Sequence, residues 1–539
     1  MCGIAGLYHL DTAKPVDPAR LRAMLHPMAH RGPDGTGVWT APGVGLGHLR
    51  LSIIDIAGSP QPMASDDEAV TLTYNGEIYN FRELRAELEE RGHRFRTSGD
   101  TEVIIAAWRQ WGVECLSRLN GMFAFALHDH QRGCLFLARD RLGVKPLHHA
   151  RLSDGSLAFA SELKGLLRHP LLRQEANITA IEDFLAFGYV PDDNCIVAGV
   201  QKLPAGHYLL LERGKPVPAP TCWWAPDFSK RIRASEGEAA EHLVHLMRAA
   251  VTDRMVSDVP LGAFLSGGVD SSAVVALMAE ASPKAVKTCT IGFDQAALDE
   301  TAYAQQIAER FATDHRTRTV AASDFDLVDR IADMFDEPFA DASALPTYRV
   351  CELAREEVTV ALSGDGADEA FAGYRRLVFQ HQEEKLRGLI PGVLRRNLLG
   401  PLAKVWPQMD WAPRPLRARA TLASLSKSGA EGYGEAVGVT GPGQRARLFN
   451  DAAKNALGDH VAEARYWQAM ADAPAREPLD RAQYADLKIW LPGDILTKTD
   501  RMSMAVSLEA REPLLDYRLV EFAASLPCLL YTSPSPRDS

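Results

Sequence analysis

The sequence predicts two halves of different build: a layered α+β half, then an α/β half with a parallel sheet. Up to about residue 200, strands and helices mix without regular alternation. From about residue 260 onward, strand and helix alternate, which implies βαβ units. Between them, at about 205–240, the pattern breaks down into GKPVPAPTCWWAPDFSK, the best linker candidate in the chain. Its Trp223 and Trp224 are expected to pack at the boundary between the halves.

Each element follows from local pattern. GVGLGHLRLSIID (43–55) is glycine-punctuated and β-branched toward its end, which predicts a strand pair. TLTYNGEIYN (71–80) predicts a strand meeting a hairpin-type turn at Asn75-Gly76. FRELRAELEERG (81–92) sets Phe81, Leu84 and Leu88 on one helical face and stops at Gly92. TEVIIAAWRQWG (101–112) predicts a second helix with Asp100 or Thr101 as its cap. MFAFALHDHQRGCLFLAR (122–139) predicts two apolar strands around a polar turn. Two helices among several strands fit layered packing. In the second half, AFL (263–265) leads into the glycine loop SGGVD and the helix SSAVVALMAEA. KTCTIGF (287–293) is a strand, ETAYAQQIAERF a helix, and VTVALSG (358–364) a strand that ends in a second glycine loop. Ligands of such sheets gather at the carboxyl ends of strands, where both loops fall.

Composition narrows the function. A chain of 539 residues is too long for one core. Its formal net charge of −11 supplies no basic excess for nucleic acid or a membrane surface. No apolar run approaches the ~20 residues of a membrane span. The eight cysteines (2, 115, 134, 195, 222, 289, 351 and 528) lack CxxC spacing, as in a reduced cytoplasmic protein rather than a disulfide or zinc framework. The final stretch, CLLYTSPSPRDS, has neither helical nor strand period, and residues 528–539 are expected to be a non-native tail on a truncated chain.

Three stretches carry chemistry. In MCGIAG, a small residue follows Met1, so Met1 is expected to be removed and Cys2 to become the first residue. Its thiol then lies beside its own α-amine, a base titrating near ~7.7. Taken alone, Cys2 fits a small buried strand residue better than a nucleophile. SGGVDSS (266–272) opens a helix after a strand, and its glycines and free helix N–H groups favour an anion, most plausibly phosphate. It is not a Walker A loop, since no Gly-Lys-Ser/Thr follows. Asp270 beside phosphate calls for a bridging cation, which points to Mg²⁺. SGDGADEAFAG (363–373) brings Asp365, Asp368 and Glu369 into one acidic turn, suited to a divalent cation or, taken alone, to capping the next helix.

Over essentially its whole length the chain resembles the glutamine-dependent asparagine synthetase family. The resemblance rests on MCGIAG, HRGPDG (30–35), LRLSIID (49–55), YNGEIYN (74–80), SGDTE (98–102), FLSGGVDSS (264–272), LSGDGADEAFAGY (362–374) and TKTDRMSMAVSLEAREPLLD (497–516), in that order. It implies an N-terminal-nucleophile hydrolase domain of αββα layering over residues 2–205, a linker over 206–240, and an α/β pyrophosphate-loop synthetase domain over 241–527. In the first domain the resemblance makes Cys2 the nucleophile, with Asn75 and Gly76 as oxyanion donors. Arg50, Asn75, Gly76, Glu77 and Asp100 would bind glutamine, Arg50 through the α-carboxylate and Asp100 through the α-ammonium. In the second it places ATP against Leu265, Ser266, Gly267, Gly268, Asp270, Ser271, Ile291, Ser363 and Gly364. Asp270 and Asp368 would hold Mg²⁺, and Asp365 would govern the acyl-adenylate step, where many relatives carry Glu. An ammonia passage between the centres is implied in the same way. DEPFADAS (336–343) is as readily a plain polar loop as an acceptor pocket.

The chain departs from the family in two places. Relatives read R-V-P-F-L-D where this chain has Arg511-Glu512-Pro513-Leu514-Leu515-Asp516. They also continue to a later lysine in a K-x-G-F-like segment, for which nothing marks Lys498 as a substitute. The function implied is synthesis of asparagine from aspartate, ATP and glutamine; amidation of another carboxylate is the alternative. Other glutaminase enzymes lack SGGVDSS, β-lactam synthetases lack a working N-terminal cysteine, and a degenerate regulator would not keep Cys2, Asn75 and Asp270 together. The partners expected are small molecules, with a homodimer left open.

Overall fold

The structure is a computed structural model that describes residues 1–10, 14–295, 299–320, 327–407 and 418–527. The tail expected at 528–539 lies outside the described residues. The first half contributes β1 (Gly3–Tyr8), β2 (Gly35–Ala41), β3 (Val44–Arg50), β4 (Met63–Ala64), β5 (Val70–Ile78) and β6 (Gly121–Asp129). It continues with β7 (Cys134–Arg139), β8 (His148–Arg151), β9 (Leu157–Ala160), β10 (Val200–Lys202), β11 (His207–Glu212) and β12 (Thr221–Cys222). They form two six-stranded antiparallel sheets, ordered β10-β8-β9-β1-β3-β2 and β12-β11-β7-β6-β5-β4.

Side-chain alternation builds the layers. On β1, Ile4 and Tyr8 meet Ala124, Ala126 and Leu137 of the second sheet, while Ala5 and Leu7 pack on Leu21, Met24 and Leu25 of the helix Pro18–Leu25. On the other side, Leu72, Tyr74, Phe123 and Phe125 pack on Leu84, Leu88, Val103 and Trp108 of the helices Phe81–Glu90 and Thr101–Trp111. Helix, sheet, sheet and helix are thus stacked in the expected αββα order.

Two local expectations fail. The turn expected at Asn75-Gly76 is absent: β5 runs straight through, with Asn75 opposite Ala124 and Gly76 opposite Phe123. Glycine is needed at 76 for close approach, since a Cβ there would stand 2.0 Å from the Met122 carbonyl oxygen at a φ of +153°. Residues 43–55 give one strand, β3, which hairpins with β2 and leaves the sheet after Arg50.

The second half holds β13 (Leu261–Phe264), β14 (Lys287–Phe293), β15 (Asp314–Val320), β16 (Val360–Leu362) and β17 (Glu509–Arg511). All pair in parallel, in the order β15-β14-β13-β16-β17. Val274, Val275 and Met278 of the helix Val269–Ala281 cover one face with Ala304 and Ala308, and Cys351, Leu353 and Ala354 cover the other. The loops after β13 and β16 therefore lie side by side. The halves are in contact: Trp224 Nε1 donates to Glu521 at 2.9 Å, and Trp223 stacks on Phe123 with ring centroids 6.1 Å apart. Among the described residues no helix is long and apolar enough to cross a membrane.

Candidate active sites

Cys2 stands where β1 begins, 8 % exposed, and three contacts fix its backbone and neighbourhood. Its N–H donates to Asn75 Oδ1 at 2.9 Å, its carbonyl accepts from Arg31 Nε at 3.0 Å, and its Sγ lies 3.8 Å from the Leu51 carbonyl oxygen. Burial pushes the thiol up, while the terminal ammonium works to bring it down. With Oδ1 committed to Cys2, Asn75 presents a buried Nδ2 that has no partner among the described residues. An unused amide donor beside a thiol suits an oxygen that becomes negative during acyl transfer.

Glu77 is also buried here, and burial together with Glu509 pushes its carboxyl well up. The other two expected glutamine ligands are engaged elsewhere. Arg50 donates to the carbonyls of Ile56 at 2.7 Å and Asp55 at 3.0 Å, which ties it to the loop after β3. Asp100 is the N-cap residue of the helix Thr101–Trp111, but its side chain makes no capping bond; its carboxylate accepts from Tyr74 OH at 2.8 Å and Ile78 N at 2.9 Å. The structure therefore brings Cys2, Asn75, Gly76 and Glu77 together and keeps Arg50 and Asp100 on separate partners.

Sequence reasoning missed three residues at this centre. Arg31, fully buried, carries the Cys2 carbonyl on Nε and pairs through its two other nitrogens with Asp500 at 2.8 and 2.9 Å and with Glu162 at 2.7 Å. Glu509 of β17 lies 3.1 Å from the Met1 ammonium. Asp55 accepts from Ser98 N at 2.9 Å and Gly99 N at 3.1 Å, fastening the loop that holds Arg50 to the segment before Asp100. HRGPDG and SLEAR contained the first two, without any local pattern to assign a role.

The second centre is a cavity of about 310 Å³ at the carboxyl ends of β13 and β16. Ser266, Gly268, Asp270 and Ser271 line it from one loop, and Ser363, Gly364, Asp365 and Asp368 from the other. Of the expected nucleotide ligands, Leu265, Gly267 and Ile291 do not border it. Leu265 is buried in the sheet, with its N–H on the Cys289 carbonyl at 2.9 Å. Gly267 makes the turn at a φ of +79°, where a Cβ would stand 2.6 Å from the Ala304 nitrogen. Ile291 lies within β14. The helix Val269–Ala281 begins without a side-chain cap, so its first N–H groups face the cavity edge unclaimed by a cap. The loops touch: a Cβ on Gly364 would stand 2.8 Å from the Ser271 nitrogen.

The donor set fits a hard divalent cation. Asp365 accepts from Ser363 Oγ at 2.7 Å and Thr499 Oγ1 at 3.3 Å, so one of its oxygens is spoken for. The Asp368 carboxyl is pushed up, chiefly by desolvation and also by Asp365, against the pull of Arg376. Among the described residues no group of three or more acidic, histidine or cysteine side chains forms a closed metal cage. Two carboxylates beside a phosphate-sized loop suit Mg²⁺, which takes its remaining ligands from phosphate and water. Lys498 is tied to Asp341 at 3.0 Å and Ser343 at 2.8 Å. Residues 336–343 border a second, larger cavity of about 1020 Å³.

A glutamine amidotransferase domain family matches residues 1–224, and an asparagine synthase family matches residues 242–535. The chain is 32% identical to a glutamine-hydrolysing asparagine synthetase of Bacillus subtilis, over 99% of this chain and 82% of that protein. It is 36% identical to a putative glutamine-hydrolysing asparagine synthetase of Mycobacterium tuberculosis, over 97% of this chain and 80% of the relative. A fungal protein named amidase chry2, from Gibberella zeae, is 28% identical over 96% of this chain and 80% of its own length.

Proposed function

We propose that this chain, which belongs to the glutamine-hydrolysing asparagine synthetase family and is an ATP-dependent amidotransferase ligase, moves the amide nitrogen of glutamine onto the side-chain carboxylate of aspartate. The Cys2 sulfur attacks the glutamine amide carbon, forms a thioester and releases ammonia; water then frees glutamate. Aspartate oxygen attacks the α-phosphorus of ATP, and pyrophosphate leaves. Ammonia displaces AMP from the aspartyl-adenylate and gives asparagine. The observation that carries the reading is Asn75, which holds the Cys2 amide on one side-chain atom and keeps the other buried and unspent. Nδ2 then stabilises the tetrahedral oxyanion, in concert with the Gly76 N–H.

In the second centre, Ser266, Gly268, Ser271, Ser363 and Gly364 cradle phosphate oxygens, Gly267 shapes the turn between them, and Asp365 acts at the adenylate step. Asp270 and Asp368 would hold Mg²⁺, which when bound neutralises charge on the phosphate oxygens. Arg50 and Asp100 are proposed to bind the two ends of the glutamine amino acid after releasing their present partners. Residues 2–205 are proposed as the glutaminase unit, 206–240 as its link, and 241–527 as the synthetase unit, working in the cytoplasm.

A second acceptor class is favoured by one observation. The 1020 Å³ cavity beside residues 336–346 is lined by Phe184, Phe293, Ile331, Phe335 and Phe339, which suits a carboxylate with a bulkier apolar body. The deciding experiment incubates the protein with amide-¹⁵N glutamine, ATP, Mg²⁺ and aspartate or a panel of other carboxylates. Labelled asparagine with AMP, lost in Cys2→Ala, is expected; a different labelled amide would replace aspartate as the acceptor. Absence of glutamate would overturn the role of Cys2.

A further inference from the structure

One loop of the synthetase half is fastened from the glutaminase half. Residues 336–343 form neither helix nor strand, and their bonds run in two directions. Toward the glutaminase half, Glu337 accepts from Ile196 N at 2.7 Å on one carboxylate oxygen, and its other oxygen lies 2.6 Å from Lys202 Nζ. Ala340 N donates to the Gly188 carbonyl at 2.8 Å, and Lys164 Nζ lies 3.1 Å from Asp336. Toward the nucleotide cavity, Lys498 Nζ donates to Asp341 at 3.0 Å and Ser343 at 2.8 Å. The loop then enters the helix Ala344–Arg355. Ala344 and Pro346 of that helix border the 1020 Å³ cavity, and Thr347 and Val350 border the 310 Å³ one.

A segment without ladder or helix bonds is placed by what holds it from outside. Asp336 has a φ of +65°, which a residue other than glycine adopts where its surroundings impose it. The side chains of Glu337 and Lys202 are 12 % and 10 % exposed, so this charged contact is little screened by water. The wall of the larger cavity is shared in the same way. Phe184 comes from the helix Ile178–Phe187, while Phe335 and Phe339 flank the loop with ring centroids 4.1 Å apart.

We propose that Glu337 is a positioning residue for the carboxylate acceptor: through Ile196 and Lys202 the glutaminase half sets the loop that walls the acceptor cavity. This rests on the function proposed above, and adds to it that both halves build the acceptor site. Glu337 borders the cavity, but both of its carboxylate oxygens are spent on the glutaminase half. It therefore acts through Phe339 and Asp341, which border the same cavity. No covalent bond is made or broken at Glu337.

The test measures AMP formation driven by ammonium chloride, so that glutamine hydrolysis is not needed, while aspartate (or the acceptor found above) is varied. Glu337→Ala is expected to raise the acceptor KM about tenfold or more, with kcat and the ATP KM within about twofold of wild type. Glu337→Gln keeps an oxygen for the Ile196 N–H and is expected to raise it less. Glu337→Ala leaves the buried Lys202 ammonium without its carboxylate, so a second variant guards against misfolding. Lys202→Met with Glu337→Gln removes both charges together, and is expected to raise the acceptor KM about threefold or more. An acceptor KM at the wild-type value in these variants overturns the proposal. Equal changes in the acceptor KM, the ATP KM and kcat overturn it too, since they mark a merely structural role. Wild-type protein that forms glutamate from glutamine but no AMP with any acceptor would instead overturn the underlying function, and this inference with it.

Discussion

The two centres are built by opposite means. Around Cys2 the chemistry sits on buried side chains: Asn75 and Asp100 are each held by a named bond, and Glu77 is buried beside them. Around the synthetase cavity it sits on two glycine loops, where Ser266 and Asp368 are exposed and Gly268, Asp270, Gly364 and Asp365 half-buried. The difference follows from the ligands. A thioester intermediate presents one developing negative oxygen, which is best met by fixed donors in a dry site. A nucleotide presents many oxygens, which backbone N–H groups and a helix N-terminus can meet only where no Cβ stands in the way.

The sharpest way to break this contrast is to remove the nucleophile. Cys2→Ala is expected to cut glutamine-dependent product by about 10⁴-fold or more, since no other group at the centre can form the thioester. The same variant supplied with ammonium chloride is expected to make product at close to the wild-type rate. Loss of both activities would show that the centres do not work as separable units.

A smaller effect is expected at Asn75. Asn75→Ala removes the buried Nδ2 donor and is expected to lower glutaminase kcat by about 10²–10³-fold, with ammonia-driven synthesis retained. A loss of less than about fivefold would remove Asn75 from the oxyanion role. Gly364→Ala tests the other building principle. Its Cβ would stand 2.8 Å from the Ser271 nitrogen, so the loops must separate. Overpacking of about 1–3 kcal/mol predicts an ATP KM about tenfold higher or more. Hydrolysis of glutamine in the absence of ATP is the control.

The same contrast explains what could be read from the sequence. The alternation after residue 260 placed both glycine loops at strand ends, and Leu84 and Leu88 marked their helix, because these features depend on neighbours close in the chain. Asn75-Gly76 misled for a physical reason. A dipeptide common in turns is here inside β5, where glycine serves close strand approach and asparagine serves Cys2. Asp100 stands at the cap position as expected, but its carboxylate is bonded to Tyr74 and Ile78 and not to the helix. Arg31 with Asp500, and Met1 with Glu509, are bonds between the first and last motifs of the chain, which no local pattern encodes.

The smallest expected effect concerns stability in the second half, at the buried carboxyl of Asp494. Asp494, 3 % exposed, has its carboxyl pushed up to about 7, first by burial and then by Asp341, against Lys498 and Arg376. The usual value in an unfolded chain is about 3.9. A group shifted upward binds its proton more tightly when folded, so its stabilising contribution is complete below pH ~4 and is lost as pH rises through about 7. Asp494→Asn keeps the shape and cannot ionise. At pH 8 it is expected to melt about 2–4 °C above wild type, and at pH 5 the two should differ by less than about 1 °C. Melting curves at the two pH values decide it. A variant that melts below wild type at pH 8 would mean that the Asp494 carboxylate has a partner in solution that favours its charge.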